Sequence, residues 1–319
     1  MVKNQIENLL RKFKNLKIAV IGDLILDKYI FGKVERISPE APVPIFEIER
    51  EEFRAGGAAN VALNLKSLEV GEILLLGRVG KDSEGEILKE ILRQRKIEFY
   101  LIESEKLPTT RKTRVVAKSQ QLLRIDRESK EPLKEKETEN LFTVLKEFDP
   151  DAVIVSDYAK GVITKYLGDL LRKKIEVPTF VDPRPQNYLS YRGLFCMTPN
   201  LKEFSEIAKY FSLQGSYIET APILREKMKL DTLVVTLSEK GLALVREDIK
   251  HFPATAREVY DVTGAGDTVI ASLTASYIAS KDWIISCKFA NLCAGIAVSK
   301  LGTSQVHPEE ILQTLDSNL

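Results

Sequence analysis

Asp261-Val262-Thr263-Gly264-Ala265-Gly266-Asp267 joins two segments of different hydrophobic period. Before it, Leu242–Val245, continued by His251–Pro253, reads as strand. After it, the small and apolar Thr268–Ala279 carries Val269, Leu273 and Tyr277 at helical spacing. A helix that opens on a Gly-Ala-Gly turn leaves the N–H groups of its first turn unpaired, with about half a positive charge between them. Such an end attracts anions, and glycine lets a ligand approach the backbone closely. Asp267 then stands where an anion would sit. Two explanations are open. One is a Gly-rich turn with a helix-start carboxylate. The other is a base beside a phosphate site, taking the proton of an attacking hydroxyl. The second demands a carboxylate at the mouth of free main-chain donors.

Upstream, Lys17–Ile21 is a strand ending in Gly22-Asp23, with Asp27 four residues on. Ile73–Leu76, Ala152–Val155, Val177–Val181, Phe195–Met197 and Leu233–Val235 are further strands separated by helical patterns. That alternation predicts an α/β fold with a mostly parallel sheet flanked by helices. Asp23, Asp157, Asp182, Asn200 and Thr236 stand at carboxyl ends of these strands, the edge where open α/β sheets bind ligands. Gly56-Gly57-Ala58-Ala59-Asn60 opens another helix. Its glycines admit either a ligand or a neighbouring strand, and Asn60 offers donors and an acceptor to a polyhydroxylated ligand. Asn200 and Glu203 begin a helix over Leu201–Tyr210. Their spacing fits a capping box first, and both could also reach a magnesium ion through its waters.

Ser38–Pro44 and Ile45–Ile48 read as an extended arm or edge strand. Thr109–Ala117 and Gln120–Ile125 read as a hairpin turning at Lys118-Ser119. Lys112, Arg114, Arg124 and Arg127 make it basic, which suits a lid over an anionic group or a solvated ribbon.

Composition removes other classes. The chain has 319 residues, 44% of them hydrophobic, and a formal charge of +1. A substantial core is available, and the electrostatic footprint of a nucleic-acid binder is missing. No apolar run reaches membrane-spanning length. Met1–Asn15 lacks the core of a secretory signal; Ile6, Leu9, Leu10 and Phe13 predict a helix docked on the body. Three cysteines match no metal pattern and suggest buried thiols in a reducing cytoplasm. Two histidines argue against a histidine-ligated metal or a Ser-His-Asp hydrolase. Lys81 is not followed by Ser or Thr, and no P-loop motif occurs.

In this order, Gly56–Asn60, Asn200–Glu203, Thr236–Gly241 and Asp261–Asp267 resemble the signatures of the ribokinase, or PfkB-type, family of carbohydrate kinases. Gly22–Asp27, Ser38–Pro44, Gln120–Asp126, Ser156–Gly161 and Phe289–Val306 are similar to the kinase domain of the bacterial ADP-heptose biosynthetic enzymes. That domain phosphorylates D-glycero-β-D-manno-heptose 7-phosphate at O1 with ATP. The resemblance implies a ribokinase-like three-layer sandwich over 1–319 as a single kinase domain. A small β-sheet lid from 28–54 and 108–127 would be inserted in it. The chain's end at Leu319 suggests the stand-alone kinase form, without a nucleotidyltransferase domain.

By the same resemblance Asp267 is the base, and the amides of Gly264, Ala265 and Gly266 hold the transferring phosphoryl group. Asp23, Gly56, Gly57, Asn60 and Asp157 lie on the sugar side. Lys112, Arg114, Arg124, Lys160 and Arg184 are candidates for the sugar phosphate. Asn200 and Glu203 organise Mg2+, mostly through water, while Thr236, Ser238, Gly241 and Asn291 line ATP. Ser238 replaces a common glycine, and Arg184 a common lysine. A monovalent cation is left open, and a homodimer formed through the lid is implied. Other members of the family, acting on fructose or tagatose phosphates or on ribose, remain alternatives. A non-catalytic sugar or nucleotide sensor on the same scaffold is a further one.

Overall fold

The computed structural model describes residues 3–118, 120–255, 259–300 and 302–316. Its first six strands are β1 (Lys17–Ile37), β2 (Pro44–Gly57), β3 (Glu72–Gly80), β4 (Glu98–Ser104), β5 (Arg111–Ala117) and β6 (Gln120–Arg127). Then come β7 (Ala152–Ser156), β8 (Thr179–Asp182), β9 (Cys196–Met197), β10 (Thr232–Thr236), β11 (Leu242–Val245) and β12 (Ile249–Phe252). The helices are α1 (Lys3–Phe13), α2 (Ala58–Ser67), α3 (Ser83–Gln94), α4 (Glu135–Phe148), α5 (Lys165–Lys174) and α6 (Tyr188–Tyr191). They continue with α7 (Leu201–Tyr210), α8 (Tyr217–Lys227), α9 (Ala265–Ser280), α10 (Trp283–Val298) and α11 (Pro308–Asp316).

The main sheet runs β12-β11-β10-β9-β8-β7-β1-β3-β4. It is parallel from β10 to β4, and β11 and β12 are antiparallel additions. Central strands are buried on both faces, as parallel strands covered by helices must be. Ile18 and Val20 of β1 face one apolar cluster, shared with α1, α2, α9 and α10. Ala19 and Ile21 face a second, shared with α4, α5, α7 and α8. Alternate residues of one strand therefore serve two helical layers, giving a three-layer α/β/α sandwich.

The apolar pattern of β1 suggests a strand ending at Ile21, but the strand continues to Ile37. Its first part, Lys17–Asp23, lies in the main sheet. Its second part leaves the carboxyl edge of that sheet and founds a second one. There Leu24–Ile37 pairs antiparallel with β2, Leu26–Gly32 pairs parallel with β5, and β5 pairs antiparallel with β6. The two segments expected as arm and hairpin thus share one small sheet; Ser119 of the expected turn lies outside the described residues. Every residue of β6 is exposed, Leu122, Leu123 and Ile125 included.

β1 has β3 on one side and β7 on the other, so chain order reverses around it. A crevice opens at the carboxyl ends of strands at such a switch point. Ser156 is level with both Gly22 and Asp182, and Asn200 bridges to Thr236, so the polar strand ends line up along one edge. Between α2 and α10, α9 is buried around its circumference. Ser272, Ser276 and Ser280 satisfy their hydroxyls by donating to the carbonyls of Thr268, Ser272 and Ser276, each four residues back. The small residues of this segment serve close packing.

Candidate active site

Gly264 has φ 81°, the left-handed conformation that glycine adopts at little cost, and α9 starts directly after it. The Ala265 amide donates to the Val262 carbonyl at 3.2 Å, so this member of the expected anion cradle is already engaged. The Gly266 and Asp267 amides have no protein acceptor among the described residues. They are the orphan donors that a helix start leaves free.

Asp267 is 2% exposed, more enclosed than a carboxylate at an open mouth. Asn60 Nδ2 donates to its Oδ2 at 2.7 Å, and the Tyr158 hydroxyl donates to its Oδ1 at 2.8 Å. A carboxylate offers about four lone-pair sites, so acceptor capacity remains while both oxygens are held in place. Burial pushes its pKa up to about 6, against the two hydrogen bonds, which favour the charged form. An aspartate poised there suits a general base near neutral pH.

Tyr158 carries no signal of its own in the sequence, where Asp157 and Lys160 on either side are the candidates. Its ring has the Arg184 guanidinium 4.9 Å and the Lys112 ammonium 5.5 Å from its centroid. Lys112 is half-buried, and no carboxylate among the described residues pairs with it. Burial lowers its pKa.

Several expected sugar contacts have other partners. Asp23 accepts from the amides of Tyr158, Lys160 and Val162 at 2.9, 2.9 and 3.0 Å, so it fastens the loop that delivers Tyr158. Asp157 accepts from the Ala159 amide, Asn187 and the Tyr191 hydroxyl. Burial, then the charge of Asp23, raises its pKa to about 7. Asn60 orients Asp267 and accepts from Gln305 at 3.1 Å. At Gly56 and Gly57 a Cβ would collide with Asp27 Oδ2 and the Asp23 carbonyl. The double glycine therefore admits β1, the neighbouring strand. Asp27 is buried, lies against Gly56 and pairs with Arg114. Its place on the second half of β1 was hidden by the early strand end.

At the other end of the edge, Asn200 and Glu203 form a full capping box, with bonds of 2.9 and 3.0 Å. Glu203 also accepts from Arg184 at 2.7 Å. Arg184 thus joins this end to the Tyr158 ring that it shares with Lys112. The Asp182 carbonyl accepts from the Asp157 amide at 3.1 Å, while its carboxylate has no hydrogen-bond partner among the described residues. Burial, then Glu203 and Asp267, hold its pKa well above the usual range. Thr236 bridges to Asn200, and Ser238–Gly241 makes a tight turn against the Phe252 carbonyl and Ala254. Asn291 donates to the Pro253 carbonyl at 2.7 Å, fixing the segment beside that turn. On the second sheet Arg124 is exposed and pairs with Asp126, and Lys160 pairs with Glu128.

Residues 15–310 match the model of the pfkB family of carbohydrate kinases. The chain belongs to that family. Membership places it among the ATP-dependent phosphotransferases that act on carbohydrates. It is 41% identical over 313 residues to the bifunctional protein HldE of Vibrio vulnificus (strain CMCP6), across 96% of this chain and 65% of the relative. It is 42% identical over 315 residues to the bifunctional protein HldE of Shewanella sediminis, with the same two coverages. The chain thus spans about 65% of the length of these curated relatives. The fold is ribokinase-like. Superposed on the ribokinase of Thermotoga maritima it gives a TM-score of 0.77 at 22% identity, over 94% of this chain and 99% of that one.

The donors present would fit a largely hydrated Mg2+ ion accompanying a nucleotide. No group of three or more His, Cys, Asp or Glu side chains is placed to hold a bare metal among the described residues. Asp182, half-buried, and Glu203, buried, are two carboxylates whose raised pKa values mark a place that gains from positive charge. Mg2+ takes one or two carboxylates and fills its shell with water and phosphate.

Proposed function

We propose that the chain phosphorylates D-glycero-β-D-manno-heptose 7-phosphate at O1, using ATP, to the 1,7-bisphosphate in ADP-heptose biosynthesis. The observation that carries it is Asp267: a fixed carboxylate with a pKa of about 6, at a helix start whose Gly266 and Asp267 amides are free. The similarity to the HldE proteins supports the heptose substrate over other sugars.

Asp267 takes the O1 proton as O1 forms its bond to the γ-phosphorus. The bond from that phosphorus to the bridging oxygen breaks, and ADP leaves with its electron pair. The Gly266 and Asp267 amides face the charge on the transferring group, where fixed donors act most strongly. Asn60 and Tyr158 hold the carboxylate toward O1. Asp182 and Glu203 would hold Mg2+ through water, and when bound the ion offsets charge on the nucleotide phosphates. Thr236, Ser238, Gly241 and Asn291 shape the nucleotide end. The second sheet, 28–54 with 108–127, acts as the lid that excludes water, so that O1 and not water is phosphorylated. The exposed apolar residues of β6 support pairing of two lids in a homodimer. The three buried free thiols suit a reducing cytoplasm.

The test is a panel of acceptors: the heptose 7-phosphate, fructose 6-phosphate, fructose 1-phosphate and ribose. ADP release and phosphorus NMR of the product are the readouts. Preferred turnover of the heptose with a new anomeric phosphate supports the assignment; preference for another acceptor replaces it.

A further inference from the structure

On the side of Asn60 away from Asp267, the chain is pinned both before and after Gln305. The Gly302 amide donates to Asp261 Oδ2 at 2.9 Å, and Lys300 Nζ donates to the Gln305 carbonyl at 2.8 Å. Val306 is 1% exposed, in the apolar cluster shared with α2, α9 and α10. Gln305 itself is half-buried, and its side chain reaches in to Asn60. Its Nε2 donates to Asn60 Oδ1 at 3.1 Å and to the Thr303 carbonyl at 3.2 Å. Asn60 Nδ2 in turn donates to Asp267 Oδ2 at 2.7 Å.

The two ends of an asparagine amide have the same shape and opposite polarity. Packing alone therefore does not fix which end meets Asp267. A main-chain carbonyl can only accept, so Thr303 fixes which end of Gln305 faces inward. Gln305 then offers a donor, and of the Asn60 amide only Oδ1 can take it. Nδ2 is left for Asp267. Polarity thus passes from one backbone carbonyl, through two side-chain amides, to the carboxylate. The helices are held independently of this relay. Asn64 Nδ2 donates to the Asn60 carbonyl at 2.8 Å, and the Thr268 hydroxyl donates to Asn64 Oδ1 at 3.0 Å. These bonds register α2 against α9 without Gln305.

While Asp267 is ionised, its own charge holds Nδ2 toward it. Once it carries a proton the demand reverses. A carboxylic acid donates, and an Asn60 amide turned over would accept from it. We propose that Gln305 is a positioning residue that denies the protonated Asp267 this acceptor, by holding the Asn60 amide with Nδ2 toward the carboxylate. A hydrogen bond to the neutral form is thereby withheld, which favours the ionised base. The inference rests on Asp267 as the base of the kinase reading above. Three charged groups reach Asp267 through their fields: Asp27 on β1, Asp182 at the end of β8 and Arg184 just beyond it. Tyr158, on the loop after β7, is the second donor. Gln305 hydrogen-bonds to none of these four.

Gln305 lines two surface cavities of about 420 and 220 Å³, so substitutions there have room. Gln305→Met keeps length and neutrality and removes the donor. Gln305→Glu keeps shape and puts an acceptor in its place, and Gln305→Lys restores a donor. The measurement is kcat at saturating substrates across the pH range. Gln305→Met is expected to move the acid limb up by about 0.5–1 pH unit, a loss of about three- to tenfold on the acid side, with the alkaline plateau within about twofold of wild type. Gln305→Glu should move the limb at least as far, whereas packing alone would make this the mildest change. Gln305→Lys should leave the limb in place or lower it. An unmoved limb in Gln305→Met, an equal loss at every pH, or a wild-type profile in Gln305→Glu overturns the proposal. Carbon-13 NMR of the Asp267 carboxyl, its signal identified by its absence in Asp267→Asn, reads the same titration without turnover. If the wild type phosphorylates no sugar, the kinase reading falls. The NMR midpoint then decides the orienting role alone: a rise in Gln305→Met supports it, and an unchanged value overturns it.

Discussion

Replacing Asp267 by asparagine separates what its carboxylate does for the reaction from what it costs the fold. Burial raises the pKa from 3.8 to about 6. Two units correspond to about 3 kcal/mol of differential stability between protonation states. Because the folded-state value is the higher one, the native protein binds the extra proton between these limits. That stabilisation is full below about pH 3.8 and is lost as pH rises through about 6. Asparagine never ionises and escapes the loss. It also keeps both partners, since its carbonyl accepts from Asn60 and its amide can donate to the Tyr158 oxygen. At pH 8 the variant should therefore be more stable than the wild type by up to about 3 kcal/mol, about 4 °C in melting temperature for a chain of this size. Near pH 5 about half of that difference should remain, by the same linkage. Its kcat should fall by about 10²–10⁴. ADP release and thermal melts at pH 5 and 8 supply both numbers. Unimpaired turnover, or a melting difference that does not widen with pH, would refute the assignment of this carboxylate as a buried base.

Tyr158→Phe removes a donor that favours the ionised form of Asp267. The acid limb of the pH–rate profile, expected near 6, should move to higher pH with a severalfold loss of kcat; an unmoved limb would detach Tyr158 from the base. Asp23→Ala leaves three loop amides without their charged acceptor and should destabilise the fold by about 3 kcal/mol or more, seen as a lower melting temperature and faster amide exchange over 158–162. Glu203→Ala removes both the cap of α7 and the partner of Arg184. It should cost about 1 kcal/mol of stability and raise the Mg2+ needed for half-maximal rate severalfold, with KM for the sugar unchanged.

Much of the fold follows from period alone. The α7 bounds are those its pattern predicts, and in α1 the residues Ile6, Leu9, Leu10 and Phe13 are the buried ones. Where period fails, tertiary context has intervened. The second half of β1 keeps strand geometry with Asp27 and Lys28 in it, because two partner strands supply its hydrogen bonds and Arg114 and Glu51 its counter-charges. α8 contains Pro222, which removes one internal bond. A capping box at Ser216 and Glu219 offsets part of that loss, and apolar spacing reports neither effect.

The site is harder to read, for a reason that concerns acceptors. Asp23, Asp157, Asp182 and Asp267 are all acidic, all near strand or helix ends, and alike in a sequence. Coordinates separate them by counting who already uses their lone pairs. Asp23 and Asp157 each accept three hydrogen bonds from the protein, which leaves little for a ligand. The Asp267 carboxylate accepts two, and the Asp182 carboxylate none among the described residues. Of these last two, Asp182 faces Glu203, and two such carboxylates gain most from a cation. Asp267 faces neutral donors, Asn60 and Tyr158, which leave a proton as the natural thing for it to accept. The proposed division of labour between metal end and base therefore rests on hydrogen bonds made by residues 60, 158 and 203, far apart in the chain. Residue type and spacing hold no record of those bonds until the sheet edge brings them together.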